Sequence, residues 1–264
     1  MLTESEHIKL RLQAKVNLLK LSENQYPGRI VIVGLNEAAN AMYQLVAITG
    51  RSASSRNRRY KAVASSRLVT EVADEAAMAG QDTTNIIYTA MAEVAVPNPA
   101  GSDYISLHVA SNGHQTDAIT SRYSNKSSFH DIMGSWQYEN DPPIWTPRIT
   151  AIASWNGNTP IAQMAILRKS AFGGDGCDRC VYEIDQFPIG YGYCIRTYEE
   201  DGNPPPSFSG HPYVLPLQGR AMDVLKTIWE ALNEPNRVAI AIKIIPTDRS
   251  PATIMIQNKY EKVG

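Results

Sequence analysis

Two carboxylates, Glu139 and Asp141, stand directly ahead of a double proline in "SWQYENDPPIWTPRIT", residues 135–150. Proline fixes its own φ and biases the residue before it to extended backbone, so Pro142 and Pro143 stiffen the loop that carries both acids. A glutamate held against apolar surface has its pKa raised toward the working range of a general acid or base. Solvated acids beyond a helix turn would carry the same letters, and these residues alone leave both readings open.

Three further stretches could do chemistry. "RSASSRNRR", Arg51 to Arg59, holds four arginines among serines and an asparagine, donors suited to forked contacts with phosphate oxygens or, equally, a solvated loop. "VASNGHQTDAIT" ends a strand on an Asn-Gly turn and continues with His114, Gln115, Thr116 and Asp117, which suit either a ligand's polar edge or an ordinary turn. "GCDRC" gives Cys177 and Cys180 the C-x-x-C spacing of a zinc knuckle or redox pair, with Cys194 and His211 as scattered further ligands. A loop with free thiols fits that spacing better. His7, His108, His114 and His130 share no ligand spacing, and no Walker, dinucleotide or G-x-S-x-G pattern occurs. No metal and no cofactor is expected.

The chain has 264 residues, a formal charge of -1 and 43% apolar residues, enough for a sizeable core and too nearly neutral for a globally electrostatic nucleic-acid binder. No apolar run approaches the ~20 residues of a membrane span, and "HIKLRLQAKVNLLKL" is charged throughout, unlike a signal peptide. A cytoplasmic protein is expected. Three cysteines are too few and too odd in number for a disulfide framework.

The elements that must position these groups follow from periodicity. Ile8, Leu12, Val16 and Leu19 predict an amphipathic helix over 5–21. "YPGRIVIVGLN" and "AMYQLVAIT" predict a hairpin, and residues 50–62 a basic loop. "VTEVADEAAMAG" reads as helical or irregular, "NIIYTAMAEVAV" and "DYISLHVASNG" as apolar segments, and "SSFHDIMGSWQ" as a short helix capped by serine. Four strand-like runs follow, "RITAIASW", "IAQMAILRK", "CVYEIDQF" and "YGYCIRTYE". A helix comes next, with Met222, Leu225, Ile228, Trp229 and Leu232 on one face, and then the strands "VAIAIKII" and "TIMIQN". Adjacent strands with helices gathered between them indicate a layered α+β fold of mainly antiparallel sheets.

Six segments in order, "YPGRIVIVGLN", "RSASSRNR", "NIIYTAMAEV", "VASNGHQTD", "YENDPPIWTPRI" and "IRTYE", resemble the archaeal-type IMP cyclohydrolase family. The resemblance runs from about Tyr26 to Glu199 and more loosely to the C-terminus. The "GGDGCDRC" and "NPPPSF" stretches lie outside it, as does the N-terminal helix. It implies a helical extension over 1–25 and a single cyclohydrolase-like domain over 26–264. The implied fold is a four-layer αββα sandwich like that of the N-terminal-nucleophile hydrolases. No Cys, Ser or Thr heads the first homologous strand at "YPGRI" to act as their nucleophile.

The implied reaction is closure of 5-formamidoimidazole-4-carboxamide ribotide to inosine monophosphate with loss of water, the last step of purine synthesis. It needs no metal or redox cofactor. The implied partners are the purine ribonucleotide substrate and product, with neither nucleic acid nor membrane, and the family leans toward a homo-oligomer. Its catalytic groups fall on Arg56, Tyr88 and Glu139; Asn36, Arg51, Asn112 and Thr116 align as nucleotide contacts. Where the family has Ser-Phe-Pro in its basic loop this chain has "ASS", with additional arginines at 58 and 59. Two other readings remain beside it: a purine-nucleotide-binding protein without turnover, and an amidohydrolase of the N-terminal-nucleophile class.

Overall fold

The computed structural model describes residues 3–97, 104–124 and 126–262. Helix α1 (Glu4–Glu23) leads into strands β1 (Arg29–Leu35) and β2 (Ala41–Thr49), followed by α2 (Ala53–Arg56), β3 (Arg58–Ala64), β4 (Arg67–Val72) and β5 (Thr89–Pro97). Next come β6 (Tyr104–Ser111), α3 (Gln115–Arg122), α4 (Phe129–Gly134), β7 (Arg148–Asn156), β8 (Thr159–Lys169) and β9 (Cys177–Ile184). The order is completed by β10 (Tyr191–Arg196), β11 (Tyr213–Pro216), α5 (Ala221–Ala231), β12 (Arg237–Pro246) and β13 (Thr253–Asn258).

The strands form two antiparallel sheets, β11-β10-β1-β2-β12-β13 and β3-β4-β5-β6-β7-β8-β9. Alternation along the central strands explains the layering, since successive side chains of a strand face opposite ways. In β1, Val31, Val33 and Leu35 enter the core between the sheets, whereas Ile30 and Ile32 pack outward among residues of α5 and Leu21 of α1. In β7, Ile149, Ala151 and Ala153 face the same central core, and Ile152 packs outward with Phe129, Ile132 and Met133 of α4 and Ile119 of α3. The result is the expected α+β order: helices, sheet, sheet, helices.

Several local expectations change. The basic stretch is not a loop, because Ser52 caps α2 and the chain then enters β3. Val69 to Val72 end β4, pairing with β3, so they are not helical. The run after the Asn-Gly turn is helix α3. Met222, read as part of the buried face of α5, is exposed, while Leu225, Ile228, Trp229 and Leu232 are buried.

Helix α1 differs most. Its Thr3–Glu6 capping box fixes the start, but the stripe of Ile8, Leu12, Val16 and Leu19 is the exposed face. Ala14, Asn17 and Leu21 are buried instead, and Asn17 Nδ2 donates to Val214 O of β11 at 2.9 Å. The helix is apolar on two opposite sides, and the side with the small Ala14 is the one that lies on the sheet. Among the described residues no helix is long and apolar enough to cross a membrane.

Candidate functional site

Several strand ends gather at one end of the sandwich. Ile30 pairs with Arg196, Arg58 with Val72, Met91 with Ala110, and Ser111 with Thr150, so the starts of β1, β3, β5 and β7 lie beside the ends of β10, β4 and β6. A cavity of ≈ 240 Å³ opens there, lined by Tyr26, Arg29, Arg51, Ser52, Ser55, Arg58, Asn85, Ile86, Glu139, Asp141, Ile144, Thr146 and Tyr198.

Arg29 heads β1 because the backbone turns sharply before it. Gly28 has φ +76°, and a Cβ there would stand 2.0 Å from Thr197 Oγ1, so no other residue fits without displacement. Arg29 N donates to Thr197 Oγ1 at 3.0 Å, which fixes the strand head. Its side chain is buried, and Nη2 donates to Glu139 Oε1 and Oε2 at 3.4 and 3.3 Å.

Glu139 is 2% exposed. Arg148 Nη1 approaches its Oε1 to 3.8 Å while donating to Gln115 Oε1 at 3.1 Å. Burial raises the Glu139 pKa above the ordinary carboxylate value, and this outweighs the opposing pull of Arg29, Arg148 and Arg58; Asp141 adds to the rise. Burial opposes charge on Arg29 too, and is the largest single effect, but Glu139 together with Tyr198, Tyr88 and Tyr26 more than offsets it, so Arg29 stays cationic.

Tyr88 lies immediately ahead of β5, tied by its N–H donating to Thr70 Oγ1 at 2.8 Å. Burial pushes its phenol pKa up, and the charges of Arg29, Arg58, Glu139 and Arg148 all reach it. Among the described residues, Tyr88 Oη, Arg58 Nη1 and Arg29 Nε are buried without a hydrogen-bond partner. Buried polar atoms are nearly always paired, so three such atoms around one carboxylate mark a place built to receive polar groups.

The expected site residues divide. Glu139 lines the cavity; Tyr88 does not, but from the core between the sheets it feels the charge of Glu139. Arg51 lies at the cavity wall, with its guanidinium 4.5 Å from the Tyr26 ring centroid and Nη1 bonded to Asp201 and to Gly202 O. Arg56 does not line the cavity: its Nε donates to Gly50 O at 3.0 Å and its Nη2 to Asn236 Oδ1 at 2.9 Å. Arg58, two residues on and 1% exposed, points in instead.

Asn36 sits beyond the opposite end of β1 from Arg29, roughly 23 Å away at strand rise, and its Oδ1 accepts from Asn40 and Ala41 N–H groups in the β1–β2 turn. Asn112 is buried with its amide used internally: Oδ1 accepts from Ile149 N and Gln115 Nε2, and Nδ2 donates to Pro147 O. It braces the entry to β7 and hence Arg148. Thr116 Oγ1 shares a 2.5 Å bond with Ser111 Oγ in the same brace.

The loop ahead of β7 does not run extended. Ile144 N donates to Asp141 O at 3.0 Å, and the chain turns back so that Glu139 N donates to Thr146 O at 2.9 Å. Asp141 is not a solvated acid; its two oxygens accept from Thr146 N at 2.7 Å and Thr146 Oγ1 at 2.6 Å.

Sequence reasoning missed Arg29, Arg148, Thr146 and Tyr198, and noted Arg58 only as an additional arginine of the basic stretch. For Arg58 a signal existed, since strand alternation in "NRRYKAV" puts Arg58 and Tyr60 on one face and Arg59 and Lys61 on the other. The zinc alternative fails on geometry. Cys177 packs with the outer core under α4, Cys180 against the core between the sheets, and Cys194 with the core under α5. These thiols lie in three different layers.

A family model described as IMP cyclohydrolase-like protein matches residues 26–249. No curated protein and no solved structure matches the chain.

Proposed function

The chain belongs to the IMP cyclohydrolase-like family, and we propose that it is an enzyme that closes 5-formamidoimidazole-4-carboxamide ribotide to inosine monophosphate and water. The observation that carries the reading is the buried Glu139 carboxyl sharing a cavity with the unpaired donor Arg58 Nη1, with the unpaired Tyr88 Oη in reach of its charge and more arginines than carboxylates in the lining. Such a site suits an anionic ligand that undergoes proton transfer.

The carboxamide nitrogen attacks the formyl carbon of the same molecule. As the C–N bond forms, the Glu139 carboxylate takes the N–H proton, and the formyl oxygen, gaining charge, receives hydrogen bonds from Tyr88 and Arg58. Protonation of that oxygen gives the carbinolamine. The proton that reaches that oxygen comes from solvent. In the second half Glu139 returns its proton to the hydroxyl, which leaves as water, while the former formamido nitrogen gives its N–H proton back to solvent and the C–N double bond of the purine ring forms. Because both reacting groups belong to one molecule, holding them face to face is a large part of the task. In this reading Arg51, at the cavity wall, takes the nucleotide phosphate. In this reading Arg58 has the donor role first assigned to Arg56, and Arg56 holds the loop against Asn236.

The test is the ultraviolet absorbance change on adding the formamido ribotide to purified protein, with chelator present. Ring closure under those conditions is expected. No change, with the ribotide nevertheless bound, would favour a binding protein without turnover.

A further inference from the structure

Resting on that reading, we propose that Asp141 is the positioning residue for Glu139: it holds Thr146 through both carboxylate oxygens and so fixes the turn that aims Glu139 into the cavity. The two arginines beside Glu139 do not clamp it. Their approaches are 3.3–3.4 Å for Arg29 and 3.8 Å for Arg148, whereas a tight guanidinium–carboxylate bond measures roughly 2.7–2.9 Å. The place of Glu139 is set by its backbone.

The neck of the turn is the Glu139 N to Thr146 O bond of 2.9 Å, and Arg148 Nε, donating to Gln137 O at 3.1 Å, spans the same turn two residues further out. Asp141 closes the neck twice more, through Thr146 N and Thr146 Oγ1. The Thr146 hydroxyl also lies 2.8 Å from Tyr198 Oη, and Tyr198 stacks on Tyr26 at 5.3 Å between centroids. Arg51 lies over the other partner of that stack, Tyr26. One connected path therefore joins the turn carrying Glu139 to the arginine at the cavity wall.

Asp141 also acts on Glu139 through charge. Around Glu139 stand Arg29 from β1, Arg58 from β3, Arg148 from β7, Tyr88 ahead of β5 and Tyr198 after β10. Burial raises the Glu139 pKa most, the three arginines lower it, and Asp141 raises it. Neutralising Asp141 therefore moves Glu139 downward.

The experiment compares wild type with Asp141→Ala, Asp141→Asn, Thr146→Val and Thr146→Ser. It uses steady-state kinetics and a carboxyl 13C titration of Glu139, assigned with Glu139→Gln. Asp141→Ala and Thr146→Val are expected to lower kcat by roughly 10- to 100-fold, the scale of a misplaced catalytic group, with KM within about threefold. Thr146→Ser, which keeps the hydroxyl, recovers most of what Thr146→Val loses. In Asp141→Asn the Glu139 titration and the acid limb of the kcat profile both move to lower pH. Wild-type kcat in Asp141→Ala and Thr146→Val, or an unmoved Glu139 titration in Asp141→Asn, overturns the proposal. If Asp141→Ala does not fold, the other variants decide it. Absence of turnover in wild type would count against the cyclohydrolase reading alone, because the titration still decides whether Asp141 acts on Glu139.

Discussion

Two groups of charged side chains are buried between the sheets, and they dispose of their charge in opposite ways. At the cavity end stand Arg29, Arg58 and Glu139, all nearly inaccessible. Further along the sandwich, Lys243 of β12, Gln44 of β2, His108 of β6 and Glu93 of β5 come together; Lys243 Nζ donates to Ala92 O at 3.0 Å and Gln44 Nε2 to His108 O at 3.3 Å. Burial pushes Lys243 down to about 7 and His108 down to about 3, so His108 is neutral and Lys243 readily becomes so. Arginine has no such escape, because its guanidinium stays protonated when buried. The Lys243 group can quieten itself by losing a proton, whereas the arginine group needs an anion. Glu139 supplies one negative charge, and the cavity beside it leaves room for another from a ligand. Perturbed titration alone would have marked both groups as sites. Unpaired buried atoms would have done the same, since Gln44 Oε1 and His108 Nδ1 also lack partners among the described residues. The open cavity distinguishes the first group.

The comparison breaks most readily at Glu139. Glu139→Gln removes the proton carrier and little bulk, so turnover is expected to fall by about 10²- to 10⁴-fold while inosine monophosphate binding, followed by calorimetry, stays within several-fold. Unchanged turnover would remove Glu139 from the mechanism. Next comes the pair Arg58→Met and Arg56→Met. Loss of the cavity donor Arg58 is expected to lower kcat by roughly 10²- to 10³-fold. Among the described residues the Arg56 side chain bonds to Gly50 O and Asn236, and its loss is expected to cost about 1 kcal/mol of stability with a much smaller kinetic effect. A larger kcat loss in Arg56→Met than in Arg58→Met would restore Arg56 to the site and refute the structural assignment.

How far these features were legible depends on how local their causes are. The hairpin of β1 and β2, the strands β7 to β10 and the cap of α4 follow from alternation and from Ser128, which bonds Asp131 three residues on. Glu139 and Tyr88 could be named because ordered segments around them resemble a family. Arg29 and Arg148 could not: each is a lone arginine heading an apolar strand, and its partner Glu139 is 110 residues away from Arg29. The buried face of α1 was misread because both of its faces repeat at helical spacing. Only contact with β11, through Asn17 and Val214, selects between them. Asp141 looked like a solvated acid because its partner, Thr146, becomes a neighbour only once the loop turns back.

The smallest expected effect tests the other half of the comparison. Lys243 lies outside the cavity lining, so Lys243→Met should leave kcat within about twofold of wild type. Its signature is in stability against pH. With a folded-state pKa of about 7 and an ordinary value of 10.5, the unfolded chain binds a proton across that window that the folded chain lacks. Wild-type stability attributable to Lys243 therefore rises with pH from 7 toward 10.5, by up to about 1 kcal/mol per pH unit, and Lys243→Met lacks that slope. The variant also leaves Ala92 O without its donor at every pH, a cost of about 1–3 kcal/mol. Denaturant melts at pH 7, 8.5 and 10 should thus show wild type gaining on the variant as pH rises. Parallel stability curves would mean that Lys243 keeps its proton when buried, and that the two groups differ less in their handling of charge than their geometry implies.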